Sequence, residues 1–332
     1  FLKNLIDLTK FHKKKCKSYL NILKNTKFKF KKNMSLHDLP FLPASLFKEI
    51  NLYSVNKKKI FKTLKSSGTS GDNVSKIFLD KENAKYQSLV LSKIFKSVVG
   101  DKRLPMLIID QNPTNFDKKQ FNAKMAAILG FSIFGYNHTY LVNKKKKIDY
   151  KFLNLFLKKY SKQKFIIFGF TSNIYKILIE ELDQKLINFN LENAILIHGG
   201  GWKKMENMKI DNNKFRKLLL RKLNIHNIVN YYGMVEQAGS IFIECSNCHL
   251  FKTSIFSDVL IRDEKFNNIS EEEKKGLLQV MSVLPTSYPG HSILTEDIGS
   301  LSKKNCPCGY NGKKFIVHGR SKKSELRGCS DV

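Results

Sequence analysis

Residues 165–201 read FIIFGFTSNIYKILIEELDQKLINFNLENAILIHGGG. The opening six, Phe165–Phe170, form an apolar run too short for a helix and read as a buried strand. Tyr175, Leu178, Ile179, Leu182 and Leu186 then recur at helical spacing, with Thr171 or Ser172 as the N-cap. Residues 194–198 (AILIH) are a second apolar strand, closed by Gly199-Gly200-Gly201. Strand, helix, strand is a crossover unit, and a crossover of that length joins parallel strands. The same texture extends outward. Residues 104–110 (LPMLIID) predict a strand, and residues 118–129 a helix closed by Gly130 in the left-handed region. Asp211 caps a helix to Leu223, and residues 225–230 are a strand again. The pattern predicts an α/β fold with a mainly parallel sheet. At the N-terminal side, residues 1–35 read as Lys-rich helix and exposed connector, and Pro40 and Pro43 bracket an extended entry.

After Ser240 the texture changes. Residues 241–244, 259–262, 277–283 and 315–318 are short strands with turns between them, which predicts a smaller β-rich lobe. The expected organisation is an α/β region over 1–240, the β-rich lobe over 241–318, and a tail over 319–332.

Composition bounds the function. With 42% hydrophobic and 11% aromatic residues, the chain can bury a sizeable core, which excludes wholesale disorder. The formal charge is +31, but only six of the 59 basic residues are Arg. Arg is the residue of bidentate base and phosphate readout. The excess of Lys therefore reads as a solvated surface that favours anionic substrates, not as a specific nucleic-acid interface. No apolar run reaches the ~18 residues of a membrane span, and no leader is visible. A cytoplasmic protein is expected, and the first residue, Phe1, leaves the true N-terminus open.

Four motifs could carry chemistry. In the first, Ser66-Ser67-Gly68-Thr69-Ser70-Gly71, followed by Lys76, glycines allow close backbone approach to a polyphosphate and hydroxyls donate to its oxygens. Its spacing matches neither a Walker loop nor a dinucleotide fingerprint. In the second, Tyr231-Tyr232-Gly233-Met234-Val235-Glu236, a glycine turn and a carboxylate follow a strand. Glu236 offers an oxygen to Mg²⁺, and equally suits the start of a helix. The third is Thr295-Glu296-Asp297-Ile298-Gly299, an acidic pair in a turn, suited to ribose hydroxyls or to solvent. The fourth is His318-Gly319-Arg320, a hinge with a charge that can meet phosphate.

The order of these motifs resembles the adenylate-forming enzymes. Residues 41–49 (FLPASLFKE), 103–110 (RLPMLIID), 198–203 (HGGGWK), 232–240 (YGMVEQAGS) and 324–330 (SELRGCS) narrow the resemblance to the acyl-protein synthetase family, whose namesake is the LuxE subunit of the bioluminescence fatty acid reductase complex. That resemblance implies ATP-dependent activation of a fatty or other carboxylic acid to an acyl-adenylate, releasing pyrophosphate. It assigns Ser66, Ser67, Gly68, Thr69, Ser70, Gly71 and Lys76 to the ATP phosphates, and Gly199, Gly200 and Gly201 to the adenine side. Tyr232, with Gly233, would lie by the adenine, Glu236 would hold Mg²⁺, Asp297 the ribose, and Arg320 the hinge near phosphate. Adenylate-forming enzymes ordinarily continue for roughly another 100 residues, a small domain with a catalytic Lys. That domain is expected to be truncated here. Cys329 matches the family's C-terminal thioester cysteine, with Arg327 able to lower its pKa. The implied partner is an acyl-accepting or acyl-reducing protein.

Cys245-x-x-Cys248-His249 and Cys306-Pro-Cys308-Gly309 have the look of two knuckles closing a structural Zn²⁺ site, with His249 able to replace Cys248. Relatives in the phenylacetate-ligase branch resemble this arrangement. Cys16 and Cys329 are left over. Two other functions stay open at this point. One is a ligase that transfers directly from the adenylate to coenzyme A or an acyl carrier protein. The other is a basic zinc-containing nucleic-acid-binding protein, which explains the charge and the Cys pairs but not SSGTSG or YYGMVE.

Overall fold

The structure is a computed structural model that describes residues 1–66, 74–113, 123–182, 190–202 and 210–321. The described residues form two compact units, one over Ser92–Tyr232 and one made of Phe1–Leu91 with residues 233–321.

In the Ser92–Tyr232 unit, five parallel strands run in the order Gly135–Tyr140, Leu104–Ile108, Phe165–Phe170, Ala194–Gly199, Asn227–Gly233. Phe165–Phe170 and Ala194–Gly199 are buried at every position. A strand covered by helices on both faces has no reason to alternate, so its sequence is apolar throughout. The helices do alternate. In Tyr150–Tyr160, Leu153, Phe156 and Tyr160 are buried at three- and four-residue spacing, and Asp149 caps the helix by accepting from the Phe152 N–H at 3.1 Å. Asn212–Leu223 starts at the expected Asp211 cap, which accepts from the Lys214 N–H. These helices bury Phe156, Phe215 and Leu219 in one core with Ile167 and Leu196 of the strands.

Two local expectations fail for packing reasons. Gly130 does not end its helix: the described part, Ala123–Ser132, runs through it. Phe131 is drawn inward to stack on Phe168 at 4.5 Å and to meet Phe95 edge-on at 4.8 Å, which extends the helix past the glycine. Thr171 and Ser172 are not caps. Thr171–Ile174 is a helix preceded by Phe170 with no side-chain cap, and it continues as a π-helix over Tyr175–Glu181.

The other unit is β-rich. Its main sheet is antiparallel in the order Asn268–Ile269, Ser257–Arg262, Gly276–Ser282, Ser292–Ser302, Lys314–Arg320, Phe251–Lys252, Ile241–Glu244. The extended entry pairs in parallel, Leu42 with Ile293 and Pro43 with Leu294. A separate hairpin joins Ile60–Lys65 to Lys76–Asp80. Two N-terminal helices, Leu2–Lys15 and Lys17–Asn25, belong here, and Leu5 packs with Leu39 on Leu260, Met281 and Val283 of the sheet. Among the described residues no helix is long and apolar enough to cross a membrane.

Candidate active site

The hairpin presents its open end at Lys65 and Lys76, which face each other in register. Ser66 closes the stem: its N–H donates to the Ser75 carbonyl at 3.0 Å, and its hydroxyl oxygen accepts from the Ser75 N–H at 2.9 Å. Ser67, Gly68, Thr69, Ser70 and Gly71 lie outside the described residues, so the structure holds the stem of the expected phosphate loop, with Lys76 half-buried on its return strand. The closure places Ser75, which is fully buried, beside the carboxyl of Glu236.

Glu236 sits in a single 3₁₀ turn, Val235–Gln237. The turn is anchored from three sides. Tyr288 Oη donates to the Glu236 carbonyl at 2.8 Å, and Gln237 Nε2 donates to the carbonyls of Val280 at 3.1 Å and Gly290 at 2.9 Å. Gly239 follows at φ +81°, where a Cβ would fall 2.6 Å from that of Gln87, so only glycine fits. Burial pushes the Glu236 carboxyl above the usual carboxylate range. The Ser75 hydroxyl, the residue's own backbone and the charges of Lys48 and Arg320 pull it back without cancelling the effect. A buried oxygen donor of this kind fits a divalent cation, whose charge would offset the desolvation of the carboxylate.

Thr295 to Gly299 is not the expected turn. It is the interior of the strand Ser292–Ser302, held there by antiparallel pairing on both edges. Thr295 Oγ1 donates to the Leu278 carbonyl at 2.7 Å and accepts from the Asp297 N–H at 3.1 Å. Asp297 lies opposite Arg320 in register. The guanidinium stands 3.8 Å from Glu296 Oε2 and 4.0 Å from Asp297 Oδ1. Arg320 thus links three sequence-expected positions within one unit: it pairs with Asp297, its charge reaches Glu236, and Gly319 before it takes φ +124°.

In the Ser92–Tyr232 unit the triglycine ends its strand. A Cβ on Gly199 would meet the Tyr231 carbonyl at 2.6 Å, and one on Gly200, at φ +83°, the Phe170 ring at 2.9 Å. Gly201 has open space but φ +67°. Strand alternation sends Tyr231 inward, its ring tilted against Phe131 at 4.7 Å, and leaves Tyr232 half-exposed on the other face, as an aromatic surface for a ring would require. Gly233 ends the strand, exposed, where a Cβ would come 3.0 Å from Ile241.

The cysteines converge. Cys245, Cys248 and Cys306 have their sulfurs within 4.8 Å of one another, with Cys245 and Cys306 at 3.6 Å. Two tight turns bring them there: His249 at φ +57° donates its N–H to the Cys245 carbonyl, and Gly309 at φ +68° donates to the Cys306 carbonyl. Cys308 is exposed and lies outside that trio, yet its thiol bears on the charge of Cys245. Burial alone would raise the Cys245 thiol. The N–H groups of Cys248 and Asn247 and the thiols of Cys308 and Cys306 overcome it and pull Cys245 down to about 6. Soft donors held as incipient thiolates suit Zn²⁺. The cluster takes Cys248, while His249 Nδ1 turns to Glu244 at 3.8 Å.

Sequence reasoning missed Ser75 and Lys48, which bear on Glu236. Ser75 carries no motif of its own, although its place between the glycine loop and Lys76 could have marked it. Nothing local distinguishes Lys48 among the many lysines. Cys329 lies outside the described residues.

The acyl-protein synthetase family, LuxE, matches residues 1–332. The chain belongs to that family. Two ligases named Long-chain-fatty-acid--luciferin-component ligase are similar to this LuxE member. That of Aliivibrio fischeri is 25% identical, over 89% of this chain and 78% of its own length. That of Vibrio harveyi is 23% identical, over 89% and 77%. The fold is that of adenylate-forming ligases. A 2-hydroxyisobutyryl-CoA ligase in an open conformation superposes with a TM-score of 0.76 over 96% of this chain and 74% of its own, at 12% identity. ATP-bound MatB from Rhodopseudomonas palustris gives 0.52 over 80% and 49%, at 13% identity. The LuxE chain is an enzyme of the synthetase and ligase kind.

Proposed function

We propose that this LuxE-family enzyme activates a fatty acid with ATP and passes the acyl group through Cys329 to a partner protein. The observation that carries the reading is the buried Glu236 carboxyl, held beside Ser75 at the closed stem of the glycine loop and within reach of the charges of Lys48 and Arg320. In the first step a carboxylate oxygen of the acid bonds to the α-phosphorus of ATP, and the bond from that phosphorus to the pyrophosphate oxygen breaks. Mg²⁺, when bound by Glu236, neutralises the phosphate charge. The chain's own part is electrostatic and positional. Arg320 supplies positive charge, and Asp297, aligned by Arg320, accepts from ribose hydroxyls. The Ser66–Gly71 loop and Lys76 bind phosphate oxygens, and the triglycine with Tyr232 receives the adenine. In the second step the Cys329 thiolate attacks the acyl carbon, forming a thioester and releasing AMP.

The names of the two bacterial ligases favour a long-chain fatty acid and a luciferin component as partner on this reading, and the family resemblance implies an acyl-accepting or acyl-reducing one. The use of ATP places the work in the cytoplasm. Cys245, Cys248 and Cys306, with Cys308 nearby, would hold a structural Zn²⁺ that would pin the β-rich region.

The test is ATP–pyrophosphate exchange across acids of increasing chain length, with Cys329→Ser beside the wild type. Exchange in both, with stable acylation of the wild type alone, is expected. Exchange with no acid rejects adenylation. Acyl transfer to the acceptor that survives Cys329→Ser rejects the thioester and favours direct transfer from the adenylate.

A further inference from the structure

The triglycine turn has a support in the residue before it and in the neighbouring strand. That residue, His198, is only 1% exposed on the strand Ala194–Gly199. Its Nδ1 lies 2.9 Å from Thr171 Oγ1, and the same hydroxyl donates to the Gly199 carbonyl at 3.1 Å. Thr171 is also buried and opens the helix that follows the neighbouring strand. Parallel register brings these groups together, since Phe170 pairs with Gly199 and Gly169 with His198.

Proton counting fixes the roles. Burial, and then the charge of Arg216, holds the His198 imidazolium pKa down at about 3, so the ring is neutral and owns one N–H. The single Thr171 proton goes to the Gly199 carbonyl. The Thr171 oxygen is then an acceptor, and His198 must donate from Nδ1. Nε2 is left as a bare lone pair, buried without a hydrogen-bond partner among the described residues. That is the cheaper arrangement, because an unpaired buried acceptor is tolerated more often than an unpaired N–H. The Phe215 ring meets the imidazole edge-on at 5.3 Å and holds its plane.

The consequence reaches the turn through peptide planarity. In a trans peptide the C=O and N–H point in opposite directions. Pinning the Gly199 carbonyl onto Thr171 therefore turns the Gly200 N–H away from Thr171, at the start of a turn whose next two residues have positive φ. Unsupported glycines would sample many such orientations.

We propose that His198 and Thr171 form a positioning relay that presets the triglycine turn for the nucleotide. The relay rests on the reading of Gly199, Gly200 and Gly201 as the adenine side. Neither side chain touches ATP; both act through the Gly199 carbonyl. The relay sets nucleotide affinity and leaves the chemical step alone.

The experiment measures ATP affinity directly with a fluorescent ATP analogue displaced by ATP, on wild type, Thr171→Val, Thr171→Ser, His198→Leu and His198→Asn. Thr171→Val keeps shape and loses the hydroxyl. It is expected to weaken ATP binding by about tenfold, the loss of one buried hydrogen bond. Thr171→Ser restores it. His198→Asn, which can offer an N–H near the Nδ1 position, binds ATP more tightly than His198→Leu. In exchange assays the change falls on the KM for ATP, with kcat nearly constant. A general packing role would lower melting temperature in Thr171→Ser as much as in Thr171→Val and would show no rescue. Unchanged ATP affinity in Thr171→Val, or a loss that Ser does not restore, overturns the relay alone. A wild type that binds no ATP overturns the nucleotide reading and the relay with it.

Discussion

Glu236 and Cys245 are both buried acids, 8% and 2% exposed, and their environments drive them in opposite directions. Burial dominates at Glu236, and the carboxyl is raised. Local N–H donors and neighbouring thiols dominate at Cys245, and the thiol is lowered to about 6. Burial opposes charge in both cases. What differs is the number of preorganised donors at hydrogen-bonding distance. The cysteine turns carry their own donors, so the anion is stable before any cation arrives. The Glu236 turn spends its anchors on the backbone carbonyls of residues 236, 280 and 290, and leaves the carboxyl only the Ser75 hydroxyl, its own backbone and the charges of Lys48 and Arg320. A site built the first way holds a metal as part of the fold. A site built the second way suits a cation that comes and goes with its substrate.

The comparison can be broken most directly at Glu236. Glu236→Gln is expected to lower acid-dependent pyrophosphate exchange by about 10²-fold or more, the scale for losing one electrostatic element of a phosphoryl or acyl transfer site. It should leave the protein as stable or more so at neutral pH. The carboxyl's folded pKa is raised, so folding takes up a proton, and that contribution is lost as pH rises through the folded pKa. A variant with near-normal exchange, or one that melts well below the wild type, would remove the distinction.

Cys245→Ser tests the other half. The metal-loaded protein is expected to lose bound zinc and to melt lower by on the order of 10 °C, as loss of a structural metal implies. The folded fraction should retain exchange. If zinc never co-purifies with the wild type, and chelation leaves its melting curve unmoved, the thiol cluster is not a metal site.

A third buried group sharpens the rule. His12 is fully buried, donates to or accepts from Ser54 at 2.7 Å and stacks on His291 at 5.1 Å. Desolvation lowers it from 6.5 to about 4, against the pull of the Pro285 carbonyl. The folded pKa lies below the unfolded one, so stability is complete above about 6.5 and is lost as pH falls toward 4. The loss amounts to about 3 kcal/mol at most. Urea midpoints at pH 7.5 and 5 would show it, and His12→Asn should flatten the difference. The smallest effect is expected from Arg320→Lys. The pair it makes with Glu296 and Asp297 is long and partly exposed, so stability should change by less than about 1 kcal/mol. The KM for ATP should rise a few-fold.

The parallel strands were legible because Phe165–Phe170 and Ala194–Gly199 are buried on both faces and cannot hide their apolar runs. The Asp211 cap was legible because capping is a contact over three residues. The failures share another origin. Gly130 passes into a helix because Phe131 stacks on a strand far along the chain, and Glu296 and Asp297 lie in a strand because Gly276–Ser282 and Lys314–Arg320 pair with it. Ser75 and Lys48 reach Glu236 across more than 150 residues, a distance at which no periodicity or spacing speaks.

The sequence by itself determined the class of fold, which follows from local patterns of apolar residues, and it carried the motifs whose order and wording resemble the family. It also marked the Cys pairs, whose turns are four residues long or less. Only the tertiary structure decided which neighbours each ionisable group would meet, and hence whether burial or hydrogen bonding would set its charge. Those neighbours come from strands paired far apart in the chain, and the energy of a buried charge depends on them more than on the residue that carries it.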